Sequence, residues 1–385
     1  MKTIYEQALD FHREYRGKLE TKSKVVLDSK EVLSKAYSPG VAQVSIEIGK
    51  DKNLAREYKL KRNTVAVVSD GSAILGIGNL GPYAAIPVME GKAAIFKEFA
   101  GVDAFPICLD TQDTEEIIKA IKQIAPVFGG INLEDIAAPR CFEIEERLRA
   151  ELPIPVMHDD QWGAATVALA GLINSLKLRE LDKSEARVVL NGIGAAGVAT
   201  ARLLLAYGIT HITFCDSKGI IHQDRTDLTK EKRELRDKST ARPEVGTLAD
   251  ALKDAHIFIG LSVAGALTVD MLKTMAERPI IYGLANPTPE IMPELAKEAG
   301  AFIVATGRSD YPNQLNNSLV FPGLFKGALE ENVKQFDTTL FLSVAEKLAA
   351  YVKNPTTETI LPNMFDKGVV DVVVNAVKEW NSNLK

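Results

Sequence analysis

Arg187-Val-Val-Leu-Asn-Gly-Ile-Gly-Ala-Ala-Gly197 is the stretch that decides the fold. A short β-rich run ends in Gly192-x-Gly194-x-x-Gly197, and the apolar Val198–Tyr207 follows with a helical period. Glycines at this spacing permit a tight turn, close backbone approach to a pyrophosphate, and close packing of helix on strand. The helix N-terminus then faces the phosphates, where its free N–H groups and dipole favour negative charge. Gly192, Gly194, Ala195, Ala196 and Gly197 are the positions expected against a dinucleotide. Asp216 stands about 24 residues further on, after the run Ile212–Cys215, where an acid accepts from the adenosine ribose hydroxyls. It would repel a 2′-phosphate, which favours NAD and leaves NADP the weaker alternative; Lys218 softens that preference.

On the C-terminal side of this loop, β-rich runs at Ile212–Cys215, His256–Leu261, Ile280–Ala285 and Phe302–Ala305 alternate with helical periods. On the N-terminal side a first series does the same, with runs at Val65–Ser69, Ala104–Leu109, Val127–Asn132 and Ile154–His158. Alternation at this spacing predicts an α/β protein with parallel sheets built from crossover units. Three units are expected: an N-terminal parallel-sheet domain over 1–160, a Rossmann-type doubly wound nucleotide domain over 161–316, and C-terminal helices over 317–385 that pack back on the first. Residues 1–60 read as polar helices with a solvated face, broken at Tyr37-Ser-Pro-Gly40.

Ligands of open parallel sheets bind beyond the carboxyl ends of the strands. In the first series the residues there are Asp70, Asp110, Glu134-Asp135 and Asp159-Asp160. Ionised carboxylates crowded at one edge repel one another and call for a counter-charge. Oxygen donors without cysteine or clustered histidine select Mg²⁺ or Mn²⁺ over zinc. Lys92 interrupts the apolar Pro87-Val-Met-Glu-Gly-Lys-Ala-Ala-Ile-Phe96, where desolvation would lower its pKa toward that of a base. Tyr37 could donate a phenolic proton. Asn286, in Ala285-Asn-Pro-Thr288, and Asn316-Asn317 are amides placed for ligand contact, although each also suits a turn. His158 reads as a hydrogen-bonding neighbour of the acids and Trp162 as core.

Composition narrows the classes. The 385 residues carry 46 basic and 51 acidic side chains, a net charge of −5, which argues against a nucleic-acid or anionic-membrane surface. Three cysteines without CxxC spacing, no apolar leader, and no apolar run long enough to span a bilayer predict a cytoplasmic protein without disulfides.

The motifs together resemble malic enzymes of the short bacterial form. They are Tyr37-Ser-Pro-Gly-Val-Ala42, Val68-Ser-Asp-Gly-Ser-Ala-Ile-Leu-Gly-Ile-Gly-Asn-Leu-Gly81, Pro87-Val-Met-Glu-Gly-Lys92, Asn132-Leu-Glu-Asp135, His158-Asp-Asp-Gln-Trp-Gly163, the dinucleotide loop, Ala285-Asn-Pro-Thr288 and Phe321-Pro-Gly323. The resemblance implies oxidative decarboxylation of L-malate to pyruvate and CO₂ with NAD and Mg²⁺ or Mn²⁺. It implies a homodimer, with Tyr37 or Lys92 reaching the site from the neighbouring chain. It makes Tyr37 the general acid, Lys92 the general base and Asp159 its neighbour. It makes Glu134, Asp135 and Asp160 the metal ligands. Asn286 and Asn317 become substrate contacts, and Asn286 and Asn316 cofactor contacts. Ser72-Ala73 departs from the Glu-Arg of large members and removes an arginine that holds a substrate carboxylate. The competing reading is a metal-dependent oxaloacetate decarboxylase on the same scaffold, and a more remote one a non-catalytic NAD-responsive protein.

Overall fold

The structure, a computed structural model, describes residues 2–384. Two sheets organise it. The first holds β1 (Thr64–Ser69), β2 (Asp103–Cys108), β3 (Gly130–Leu133) and β4 (Val156–His158), all parallel, in the order β2-β1-β3-β4. The second holds β5 (Val188–Asn191), β6 (Ile212–Asp216), β7 (Gly219–Ile220), β8 (Ile257–Gly260), β9 (Ile280–Gly283) and β10 (Ile303–Thr306). Its order is β10-β9-β8-β5-β6-β7, parallel throughout except for the edge pair β6–β7. Strand order reverses between β5 and β8, which opens the crevice where a dinucleotide lies in a doubly wound sheet.

The strands form where β-branched runs can be covered on both faces. Thr64-Val-Ala-Val-Val-Ser69 is buried along its whole length, as a parallel strand between helix layers requires. Helix Pro82–Ala100 opens with proline at its first position and stops at Gly101, whose φ of 67° makes the left-handed cap. Helix Asp159–Arg179 follows β4 without a loop and is buried along most of its length.

Residues after Asn316 form helices Phe321–Glu331, Thr338–Tyr351 and Val369–Asn383. Phe321 and Phe325 pack on Phe96 of the first half, with ring centroids 4.8 and 5.6 Å apart. Gly323 and Gly327, one turn apart, let helix Val369–Asn383 approach closely: a Cβ on either would stand 2.7 or 2.8 Å from Val373 or Val377.

The N-terminal stretch is solvated as expected, but its exposed surface is not purely polar. It is helical, in Ile4–Tyr15, Lys30–Ala36, Val41–Lys50 and Leu54–Tyr58, but none of these helices has a buried residue. Ile4, Tyr5, Leu9, Phe11, Val26, Leu27 and Tyr37 are all exposed. Among the described residues no helix is long and apolar enough to cross a membrane.

Candidate active site

The site is built at the carboxyl ends of β1, β3 and β4. Glu134 and Asp135 follow β3, and Asp159 and Asp160 open the helix after β4. Adjacent parallel strands bring these two acidic pairs together, with Leu133 in register with His158. One carboxylate oxygen from each of Glu134, Asp135 and Asp160 lies within 4.8 Å of the others. Asp135 Oδ2 is buried without a hydrogen-bond partner, and burial together with Asp160 pushes the Asp135 carboxyl up to about 7. Three hard oxygen donors, two of them buried and one unsatisfied, fit a Mg²⁺ or Mn²⁺ ion. His158 Nε2 stands 3.2 Å from Asp160 Oδ2 on the outer side, where a second layer orients a ligand.

Lys92 reaches this cluster from another element. It lies on the buried stripe Ala85, Met89, Lys92, Phe96 of helix Pro82–Ala100, so the face that anchors the helix also carries the lysine inward. Its ammonium pairs with Asp159, stands 3.1 Å from Glu134, and lies 4.3 Å above the Phe321 ring. Desolvation pulls its pKa down, but Asp159 and Glu134 outweigh it, and the net direction is upward. Burial alone therefore does not make this lysine a base, contrary to the expectation from its apolar surroundings.

Two members of the acidic crest stand apart from the metal cluster. Asp70 is fully buried, pairs with Arg140 at 2.9 Å and accepts from Ser72. Asp110 is exposed. Asp70 is neutralised by a cation that enters from helix Arg140–Glu151, whereas Glu134, Asp135 and Asp160 remain as a group that could hold a metal ion.

The amides approach from the second half. A Cβ on Gly163 would overlap Asp159 Oδ1 and stand 3.0 Å from the Asn317 Cβ, so this glycine lets Asp159 and Asn317 meet. Asn316 is not free for a ligand through its oxygen, which accepts from the Ser318 N–H at 2.9 Å. Asn286 follows β9 and is exposed; the backbone of Gly76, in the loop after β1, packs directly on its carbonyl. Tyr37 is 69% exposed, and this chain does not bring it to Lys92.

At the nucleotide loop, Gly192 has φ 101° and packs on the Leu261 carbonyl, where any side chain would overlap. Gly197 packs on the Gly192 carbonyl, while a Cβ on Gly194 would meet nothing. The first turn at Ala195 and Ala196 has no side-chain cap, so its N–H groups remain for a pyrophosphate. Asp216, the last residue of β6, accepts from Arg225 Nη1 and Nη2 at 3.0 and 3.1 Å and from Lys232 Nζ at 2.6 Å. Desolvation opposes its ionisation, but Arg225 and Lys232 hold its carboxyl down at about 2. The cations beside Asp216 are these two. Lys218 contributes its backbone N–H there and sends its ammonium to Asp227.

Glu145 escaped the sequence reading. It is buried and accepts from the His158 N–H, Gln161 and the Trp162 indole, which fixes the junction of β4 with the helix bearing Asp159 and Asp160. Its setting, an acid-rich amphipathic helix, carries no signal that one acid faces inward. Trp162 is core, stacked on Phe341 at 4.8 Å.

Comparison with known proteins decides the family. Residues 16–149 match the malic enzyme N-terminal domain, and residues 162–378 match the malic enzyme NAD-binding domain. The chain belongs to the malic enzyme family. It is 50% identical over 378 residues to the bifunctional malic/malolactic enzyme of Bacillus subtilis, covering 97% of this chain and 92% of that one. It is 53% identical over 365 residues to the NAD-dependent malic enzyme of Geobacillus stearothermophilus, covering 94% and 76%. The crystal structure of the NAD-dependent malic enzyme from Thermotoga maritima superposes with a TM-score of 0.93 at 48% identity, covering 96% and 98%. As a malic enzyme the chain is an oxidoreductase that decarboxylates malate, with NAD as acceptor and a divalent cation as the family typically uses. The match to the NAD-binding domain begins just after Asp160, inside the helix that carries it.

Proposed function

We propose that the protein converts L-malate and NAD⁺ to pyruvate, CO₂ and NADH at the cluster of Lys92, Glu134, Asp135, Asp159 and Asp160, as a cytoplasmic homodimer. The observation that carries this reading is the buried lysine pinned between a carboxylate of the metal triad and Asp159. A cation on Glu134, Asp135 and Asp160 would polarise the C2 hydroxyl of malate and stabilise the enolate left by decarboxylation. Gly192–Gly197 would hold NAD, which would supply the hydride acceptor for C2.

The chain's own groups manage the protons. Lys92 passes an ammonium proton to its partner Asp159 and takes the C2 hydroxyl proton in its place, a relay that leaves the lysine charged. Asn286 and Asn317 hold malate by its oxygens. Tyr37 delivers a proton to C3 of the enolate, so the reaction releases no net proton. Tyr37 is exposed in its own chain and lies in a stretch of exposed apolar side chains. Exposed apolar side chains in such number are what an association surface carries. A second copy that covers it would bring Tyr37 to the partner's Lys92.

The test is NADH absorbance with L-malate, with and without Mn²⁺, followed by a pyruvate assay. Mn²⁺-dependent NADH with an equal amount of pyruvate is expected. Pyruvate from added oxaloacetate without any NADH from malate would move the protein to the decarboxylase reading.

A further inference from the structure

We infer that Glu290 is a positioning residue of the reaction: its buried carboxylate sets the position of Asn286 by holding the tips of β8 and β9 together. The inference rests on the reading of Asn286 as a malate contact. Glu290 is 0% exposed, and among the described residues no lysine or arginine forms an ion pair with it. A lone buried carboxylate is costly unless hydrogen bonds take its lone pairs. Here they do. Oε1 accepts from the Ser262 N–H at 2.8 Å and from the Ser262 hydroxyl at 3.2 Å, and Oε2 accepts from the Ala285 N–H at 3.0 Å.

Those donors sit where ligands meet a doubly wound sheet. Ser262 follows β8, and Ala285 immediately precedes Asn286 after β9. The Ser262 hydroxyl also accepts from Asn191 Nδ2 at 2.8 Å, and Asn191 ends β5 directly before Gly192. One carboxylate thus joins the nucleotide loop, the residue after β8 and the peptide before Asn286.

The strands are shaped to receive it. Gly260 and Gly283 are in register at the ends of β8 and β9. A Cβ on Gly260 would overlap the Glu290 carboxyl carbon, and one on Gly283 would lie 3.6 Å from Glu290 Oε2. Two facing glycines leave a slot, and the carboxylate fills it.

Substitution separates its two arms. In Glu290→Gln the amide oxygen can keep Ser262, but the amide nitrogen then faces the Ala285 N–H, donor against donor. The peptide before Asn286 is released while the Ser262 side stays tied. Steady-state kinetics with varied malate and varied NAD are measured for this variant, for Gly260→Ala, and for Asn286→Ala. One orphaned N–H beside the contact predicts a rise of about tenfold in KM for malate in Glu290→Gln, with KM for NAD within about threefold of wild type. Gly260→Ala displaces the whole carboxylate and raises both. A Glu290 that only stabilises the fold would lower Tm and leave both KM values in place, and that result overturns the inference. If Asn286→Ala raises KM for malate but Glu290→Gln does not, the inference fails while the reading of Asn286 stands. If Asn286→Ala leaves KM for malate unchanged, the reading of Asn286 fails first.

Discussion

Lys92 and Asp159 share one buried environment, and the chemistry at each depends on the other's charge. Removing the lysine leaves Asp159 and Glu134 buried without their cation, a loss that cannot be compensated locally. Lys92→Ala is expected to abolish turnover while NAD still binds; a kcat near wild type would end its assignment. Asp135 gives a second prediction at this scale. In the metal-free protein burial and Asp160 hold its carboxyl at about 7, so below that pH a cation must displace a proton in order to bind. Mn²⁺ affinity should therefore fall by about fivefold as pH drops from 7 to 6, with proton release in calorimetry across buffers. A flat affinity over that range would contradict it. At the nucleotide end Asp216 is held at about 2 by Arg225 and Lys232. Its contribution to stability is complete above the ordinary carboxylate range and is lost as pH falls from about 4 through 2. Asp216→Ser leaves those two cations without their acid, and the ratio of kcat/KM for NAD over NADP should fall. An unchanged ratio would place discrimination elsewhere.

Elements explain which parts of this site were legible in the sequence. The strands were, because a parallel strand covered on both faces is a continuous β-branched run, and the acids directly after them inherit their place from the topology. Glu134, Asp135 and Asp160 converge because β3 and β4 are neighbours. What local sequence does not carry is pairing over distance. Asp70 is taken by Arg140, 70 residues away, and Glu145 turns inward from a helix whose other acids face solvent. The upward pull on the Lys92 pKa was hidden for the same reason, since its apolar surroundings are adjacent in sequence and its carboxylates are not. The glycine in helix Asp159–Arg179 gives the prediction for this scale. Gly163→Ala would push Asp159 away from Lys92 and crowd Asn317. A displacement of about 1 Å costs on the order of 100-fold in rate. Far-UV circular dichroism should be unchanged while kcat falls; a normal kcat would show that Asp159 tolerates the move.

The molecule as a whole has an N-terminal stretch of exposed apolar side chains, and Tyr37 is among them. If two copies exchange Tyr37, variants with different lesions complement each other. Mixing Lys92→Ala with Tyr37→Phe after subunit exchange should restore about a quarter of the wild-type sites, since half the dimers are mixed and each has one intact site. No recovery would mean that both groups serve the same chain. The helix Asp159–Arg179 adds a mechanical consequence. It begins at Asp159 and Asp160, is buried along most of its length, and packs beside the helix of the nucleotide loop. At 1.5 Å per residue it is a rod of about 31 Å. One continuous helix therefore joins the acid that Lys92 pairs with to the element that carries the nucleotide loop. A shift of the nucleotide loop would be passed along this rod to the carboxylate that Lys92 holds, so the two ends of the site are mechanically joined.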